Sequence, residues 1–116
     1  MKYLIYILSF AFIISCNKDP DPEIDDSVPA CIQAQIDTFK ANSDPCSQRG
    51  PSVIEYKFQD ETVYAFDMGQ CISDGSTMIL NATCENICTL GTIIGITECR
   101  GEQFSNAVEV RVLWQE

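Results

Sequence analysis

Cysteine is the residue type in this chain that can take part in the widest range of chemistry. The 116-residue sequence has seven cysteines and no histidine. Without histidine, the chain lacks the most common general base and the most common zinc ligand, so a Ser-His-Asp or Cys-His arrangement cannot form within it. Thiols can still form disulfides, bind a metal or carry a covalent modification. The interpretation of the sequence therefore begins with what each cysteine does.

Cys16 stands apart from the others because an apolar N-terminal segment ends at it. Lys2 supplies a positive charge, residues 3–14 are almost wholly apolar, and Ile-Ile-Ser-Cys occupies residues 13–16. About a dozen apolar residues are too few to span a bilayer, which needs roughly 20, but they suit a secretory signal. The last four resemble the lipobox of bacterial lipoproteins. That resemblance implies that residues 1–15 are a signal peptide that is removed and that Cys16 becomes lipidated.

The other six cysteines predict a disulfide framework. An exported protein meets an oxidising compartment, and an even number of cysteines there favours disulfides over a zinc site. Cys84 and Cys88 are separated by three residues rather than by the two of a redox pair. The candidates are Cys31, Cys46, Cys71, Cys84, Cys88 and Cys99.

The charge of the chain restricts its partners. Seventeen acidic residues against seven basic ones give a formal net charge of −10. Such a chain has no basic stripe to replace phosphate counterions, which argues against nucleic acid as a partner. Charge does not favour adhesion to anionic lipids either, so acyl chains on Cys16 must hold the protein at the membrane. A basic protein partner remains open, although an acidic surface that keeps a tethered domain soluble is the simpler interpretation.

Residues 16–28 are predicted to form an acidic, flexible tether. Acids and prolines dominate this segment and offer almost nothing to bury. The acids alternate as at the start of a calcium loop, but no glycine allows the turn, so no metal site is predicted. Asp26-Ser27-Val28 resembles a short O-glycosylation motif of Bacteroidota, which makes Ser27 a candidate for glycosylation. Ser27 is equally well interpreted as a helix-capping residue.

Residues 29–116 are predicted to form one small α+β domain that begins with a helix. Over residues 29–42, Ile32, Ile36 and Phe39 recur at the spacing of one helical face. A disulfide from Cys31 to Cys46 would close this helix against the loop that follows it.

The rest of the domain predicts an antiparallel sheet of about four or five strands. Alternation over residues 53–58 and 62–68 indicates a hairpin whose aromatic face supports the helix. Short strands are expected at residues 78–80 and 87–90, and a final strand at residues 108–115. Residues 102–107 predict a helical turn with Phe104 pointing inward, and the glycine-rich residues 91–101 before them predict an irregular loop. Disulfides of Cys84, Cys88 and Cys99 are expected to tie that loop to the sheet near Cys71.

Several of these features together resemble a small uncharacterised domain found in many Bacteroidota lipoproteins. The resemblance covers most of residues 29–116 and implies the fold and the location but no activity. Members often carry two adjacent cysteines where this chain has Cys71-Ile72, so the resemblance leaves the partner of Cys84 open. The residues that carry it are Cys31-Ile32, Val63-Tyr64-Ala65-Phe66, Ile87-Cys88, Leu90-Gly91, Gly95, Cys99, Gly101, Phe104 and Leu113-Trp114.

These patterns predict a lipid-anchored, non-catalytic binding or envelope-structural module. The chain has no phosphate-binding or dinucleotide-binding fingerprint, and the carboxylates of Asp60 and Glu61 lie in a predicted turn where water surrounds them. No enzyme activity, cofactor or metal is expected. The expected location is the outer membrane, with the domain facing the periplasm or the cell surface. The alternative is an acidic inhibitor of a basic envelope hydrolase such as a lysozyme or protease. The oligomeric state stays open.

Overall fold

Over the residues that the structure describes, the fold is α+β, as predicted, with one α-helix, a five-stranded antiparallel sheet and a small two-stranded sheet. The structure is a computed structural model that describes residues 27–43, 47–71 and 75–116. The elements are α1 (Ala30–Ala41), β1 (Ser52–Phe58), β2 (Glu61–Asp67), β3 (Ser76–Asn81), β4 (Asn86–Gly91), β5 (Glu98–Cys99), β6 (Glu102–Gln103), a 3₁₀ turn (Phe104–Asn106) and β7 (Val108–Gln115).

The sheet has the strand order β4-β3-β2-β1-β7, so β4 and β7 form its two edges. β1 and β2 form the predicted hairpin, in which Phe58 pairs with Glu61 across a two-residue turn. Gln59 and Asp60 in that turn have φ values of 51° and 60°. Positive φ at both central residues belongs to the turn type whose twist matches that of the flanking strands. Local turn chemistry therefore brings the central strand β2 together with its neighbour β1.

Helix α1 begins and ends within one residue of the predicted boundaries. Ile32 and Ile36 are buried against the sheet, as the helical spacing predicts. The interpretation of Ser27 as a capping residue is wrong, because Pro29 occupies the N-cap position and no side chain caps the helix. The fixed φ of proline suits a helix start, and the Pro29 carbonyl accepts a hydrogen bond from the Gln33 N–H at 3.0 Å.

The helix packs on one face of the sheet, and the aromatic residues of the hairpin are divided between both faces. Val53 pairs with Phe66, so both side chains point toward the helix, whereas Tyr56 pairs with Val63 and points away from it. The single aromatic face expected from sequence is therefore correct for β2 and wrong for β1. Antiparallel register decides which alternate positions of two strands share a face.

The chain between β4 and β7 covers the face of the sheet that lies opposite the helix. Phe104 lies in the predicted helical turn and points inward, with its ring centroid 5.2 Å from that of Tyr56 and 5.1 Å from that of Phe58. The glycine-rich segment is less irregular than predicted, because it includes the short strands β5 and β6. Both faces of this small sheet are thus at least partly shielded from water.

Candidate functional site

One disulfide joins the first turn of the helix to the turn between β3 and β4. Cys31 and Cys84 are bonded, with Cα atoms 6.2 Å apart. The predicted bridge from Cys31 to Cys46 is therefore wrong, and Cys46 itself lies outside the described residues. Ile32 is completely buried against the sheet, and its packing brings the start of the helix over the β3–β4 turn. The two thiols therefore lie within bonding distance.

A second disulfide fixes the glycine-rich segment to the sheet. Cys88 in β4 is bonded to Cys99 in β5, with Cα atoms 5.5 Å apart and a sequence separation of 11 residues. Cys99 is completely buried. The predicted attachment of this segment is confirmed for Cys88 and Cys99 and is wrong for Cys84, which bonds the helix. Cys71 is disulfide-bonded as well, and the described residues do not include its partner.

The chain enclosed by the Cys88–Cys99 disulfide turns back on itself in a tight hairpin. Gly91 and Ile96 exchange two backbone N–H···O bonds of 2.8 Å, and the Gly95 N–H donates to the Thr92 carbonyl at 3.2 Å. We call residues 92–95 the hairpin tip. Thr92 has a φ of 65°, a left-handed conformation that is uncommon for a β-branched residue. The backbone bonds and the disulfide at its base hold the tip in this shape.

The hairpin tip displays two large apolar side chains to solvent. Ile93 is 85% exposed and Ile94 is 80% exposed. Isolated apolar residues on a surface are common, but two adjacent isoleucines at a braced turn form a contiguous apolar projection. No charged residue occurs from residue 87 to residue 97, in a chain whose net charge is −10. The tip is therefore both apolar and uncharged.

Sequence reasoning missed this tip because it treated the segment only as a disulfide-linked loop. The available signal was the uncharged run of residues 87–97, with two isoleucines flanked by Thr92 and Gly95. That signal did not show whether the isoleucines pack on the sheet. Phe104, which follows in the same segment, does pack on it.

The edge strand β7 carries the other exposed apolar side chains of note. Val108, Val110 and Val112 are 65%, 49% and 48% exposed. However, β7 has two shifts of register against β1 and carries charged residues between the valines. Bulges and charges are the usual means by which an edge strand resists pairing with another chain. We therefore interpret β7 as a protected edge.

Arg111 of β7 forms an ion pair with Glu55 of β1 and a hydrogen bond to Ser27, which lies before the helix. Arg111 Nη2 donates to Glu55 Oε1 at 3.2 Å and to Ser27 Oγ at 2.6 Å. Ser27, the candidate for glycosylation, is exposed and forms part of this contact, and its modification stays a prediction.

Burial raises the pKa of Tyr64 above its ordinary value, and the Glu55 carboxylate raises it further. Burial followed by the Glu109 carboxylate does the same to the pKa of Tyr56.

The remaining predicted positions add little chemistry. Asp60 is exposed in its turn, as predicted. The placement of Glu61 in that turn is wrong, because Glu61 begins β2 and its Oε2 accepts a hydrogen bond from Arg100 Nη1 at 2.8 Å. Among the described residues, no three His, Cys, Asp or Glu side chains cluster in a way that could hold a metal ion.

Cys16 lies outside the described residues. Within the part of the chain that the structure describes, no helix is long and apolar enough to cross a membrane.

Comparison with protein families decides where the chain belongs. Residues 39–116 match the family described as Domain of unknown function (DUF6970). The chain belongs to this family. The DUF6970 match includes the whole sheet and the hairpin tip, but it starts inside α1. The Cys31–Cys84 disulfide thus joins a cysteine before the DUF6970 match to one within it.

Two further searches, one of curated proteins and one of solved structures, found no match to the chain.

Proposed function

We propose that this chain is a lipid-anchored, non-catalytic binding module of the bacterial cell envelope, with the hairpin tip as its contact surface. The observation that carries the proposal is the exposure of Ile93 and Ile94 on a turn braced by the Cys88–Cys99 disulfide. Exposed apolar groups on a rigid projection gain free energy when a partner removes them from water. A braced tip loses little conformational entropy on binding, which favours recognition.

The proposed anchor is Cys16, and the proposed location is the outer membrane of a Bacteroidota-type bacterium. The proposed anchor is supported by the apolar segment that ends in Ile-Ile-Ser-Cys and is followed at once by a polar and acidic stretch. The disulfides of the domain suit an exported protein, because thiols stay reduced in the cytosol. Membership of the DUF6970 family is compatible with this location and adds no activity.

The anchor is tested by Cys16→Ser, which is expected to abolish lipid attachment. Cells fed an alkyne-tagged fatty acid should label the native chain and leave the Cys16→Ser chain unlabelled, because the serine hydroxyl does not replace the thiol as acceptor. Cell fractionation should place the native chain with membranes, since each buried acyl CH₂ contributes about 0.8 kcal/mol. Ser15→Ala is the matched control, because it keeps a small residue before Cys16 and should label like the native chain. A native chain that takes up no fatty acid would contradict the anchor.

A second candidate function is inhibition of a basic envelope hydrolase, and the acidity of the chain favours it. The net charge is −10, and Asp60, Glu98 and Glu109 are all exposed. Lysozyme activity on cell walls should then fall when the chain is added and recover as salt screens the attraction. The Ile93→Ser/Ile94→Ser double variant keeps every charge and should inhibit equally well. Unchanged lysozyme activity at low salt would contradict inhibition of lysozyme.

A further inference from the structure

Two features of this domain face outward: the point from which the chain leads toward Cys16, and the hairpin tip. The turn before β4 is bonded to the helix start through Cys84 and Cys31, and the hairpin tip follows Gly91 at the other end of β4. The chain that leads toward Cys16 joins the domain at Ser27, which contacts Arg111 of the edge strand β7, while Ile93 and Ile94 project beyond Gly91 of β4, the other edge strand. The domain therefore has an attachment edge at β7 and an apolar projection at β4.

We propose that the hairpin tip inserts Ile93 and Ile94 into the lipid bilayer that holds the acyl chains of Cys16, so that the domain lies along the membrane. This inference rests on the proposed function, because the anchor brings the bilayer within reach. Eleven chain steps separate Cys16 from Ser27. They span at most about 40 Å, whereas the four strand spacings from β7 to β4 measure about 19 Å at about 4.8 Å each. The anchor and the tip can therefore reach one membrane surface together.

The composition of the tip favours lipid over a protein pocket. Residues 92–95 are Thr, Ile, Ile and Gly, and none offers the aromatic or guanidinium group that dominates contacts between proteins. Isoleucine is among the side chains that transfer most favourably into hydrocarbon. The Gly95 N–H and the Thr92 carbonyl are bonded to each other, and Gly91 and Ile96 pair at the base. These bonds lie at the base of the tip, so insertion of the two isoleucine side chains does not break them.

Charge determines which lipid surface the tip meets. The chain as a whole is strongly acidic, so anionic headgroups repel it, while residues 87–97 carry no charge that insertion must desolvate. Zwitterionic headgroups impose neither penalty. The inferred partner is therefore a zwitterionic bilayer surface, and the contact is expected to depend little on salt.

The test places a fluorescent reporter at the tip of the full-length lipidated chain. Ile94→Trp is mixed with phosphatidylcholine vesicles whose acyl chains carry bromine, a short-range quencher of tryptophan. Val108→Trp is the matched control, because Val108 is also exposed but lies on β7, the edge strand opposite β4 and the tip. Trp114 is present in both variants and sets a common background. We expect quenching of Ile94→Trp at least about twofold greater than that of Val108→Trp, with a blue-shifted emission.

Equal quenching of the two variants, or no quenching of Ile94→Trp up to millimolar lipid, would overturn the insertion of the tip. Crosslinking of residue 94 to an envelope protein without lipid quenching would overturn it as well and would assign the tip to a protein. Vesicle flotation of the native chain tests the anchor separately. A chain that floats with an unquenched tip contradicts only this inference. A chain that does not float, but whose tip is quenched at high lipid concentration, contradicts only the anchor.

Discussion

Removal of the Cys31–Cys84 disulfide is expected to lower the free energy of unfolding by about 4 kcal/mol. The bond joins residues 53 positions apart, so its loss restores to the unfolded chain the freedom that a long closed loop removes. Cys31 is exposed and Cys84 is only partly buried. The Cys31→Ala/Cys84→Ala variant should therefore lose this constraint without opening a large cavity. Urea unfolding of both proteins, without reductant, measures the difference.

The control for this experiment is Gln35→Ala, which changes an exposed position of the same helix. Its unfolding free energy should stay within about 0.5 kcal/mol of that of the native chain. Hydrogen exchange offers a second measurement, because the amides near Ile32 should lose protection when the helix start is no longer bonded to the β3–β4 turn. A double variant that unfolds at the urea concentration of the native chain would show that packing alone holds the helix.

Replacement of Phe66 by alanine is expected to lower the free energy of unfolding by about 3–5 kcal/mol. Phe66 is 2% exposed and lies on the helix-facing side of β2, the central strand. Its ring packs edge-on against Phe39 of the helix at a centroid distance of 5.5 Å, and Phe39 packs in turn against Trp114 of β7 at 5.9 Å. Loss of the Phe66 ring therefore removes one aromatic contact between helix and sheet as well as buried apolar area.

Met78→Ala is the matched control for Phe66→Ala. Met78 pairs directly with Phe66 across β2 and β3, but it is 37% exposed. Removal of a partly exposed side chain should cost about 1 kcal/mol or less, because little area returns to water and no closed cavity forms. Thermal unfolding followed by near-ultraviolet circular dichroism, which reports on Trp114 packing, should show the contrast. Similar losses for both variants would mean that the helix contact contributes little.

Much of the fold could be predicted because the patterns that specify it are local. The recurrence of Ile32, Ile36 and Phe39 specifies a helical face, and alternation specifies β1, β2 and β7. Each of these elements expresses a periodicity that neighbouring residues carry by themselves.

The pairing of the cysteines could not be predicted in the same way. Cys31 and Cys46 are near in sequence, yet Cys31 bonds Cys84 because the buried face of the helix places its first turn over the β3–β4 turn. The division of the hairpin aromatics between two faces has a similar origin, since it depends on the register of β1 against β2. Both results depend on contacts between residues that are distant in the sequence.

By itself, the sequence determined the α+β class, the disulfide chemistry and the candidate anchor at Cys16. The tertiary structure decided which thiols meet and which apolar residues remain in water. Phe104 and Ile94 belong to one segment and are both apolar, yet Phe104 covers the sheet and Ile94 is 80% exposed. The hydrophobicity of a side chain means only that its transfer out of water is favourable. The path of the backbone, fixed here by the Cys88–Cys99 disulfide and the Gly91–Ile96 pair, decides whether the domain itself can bury it.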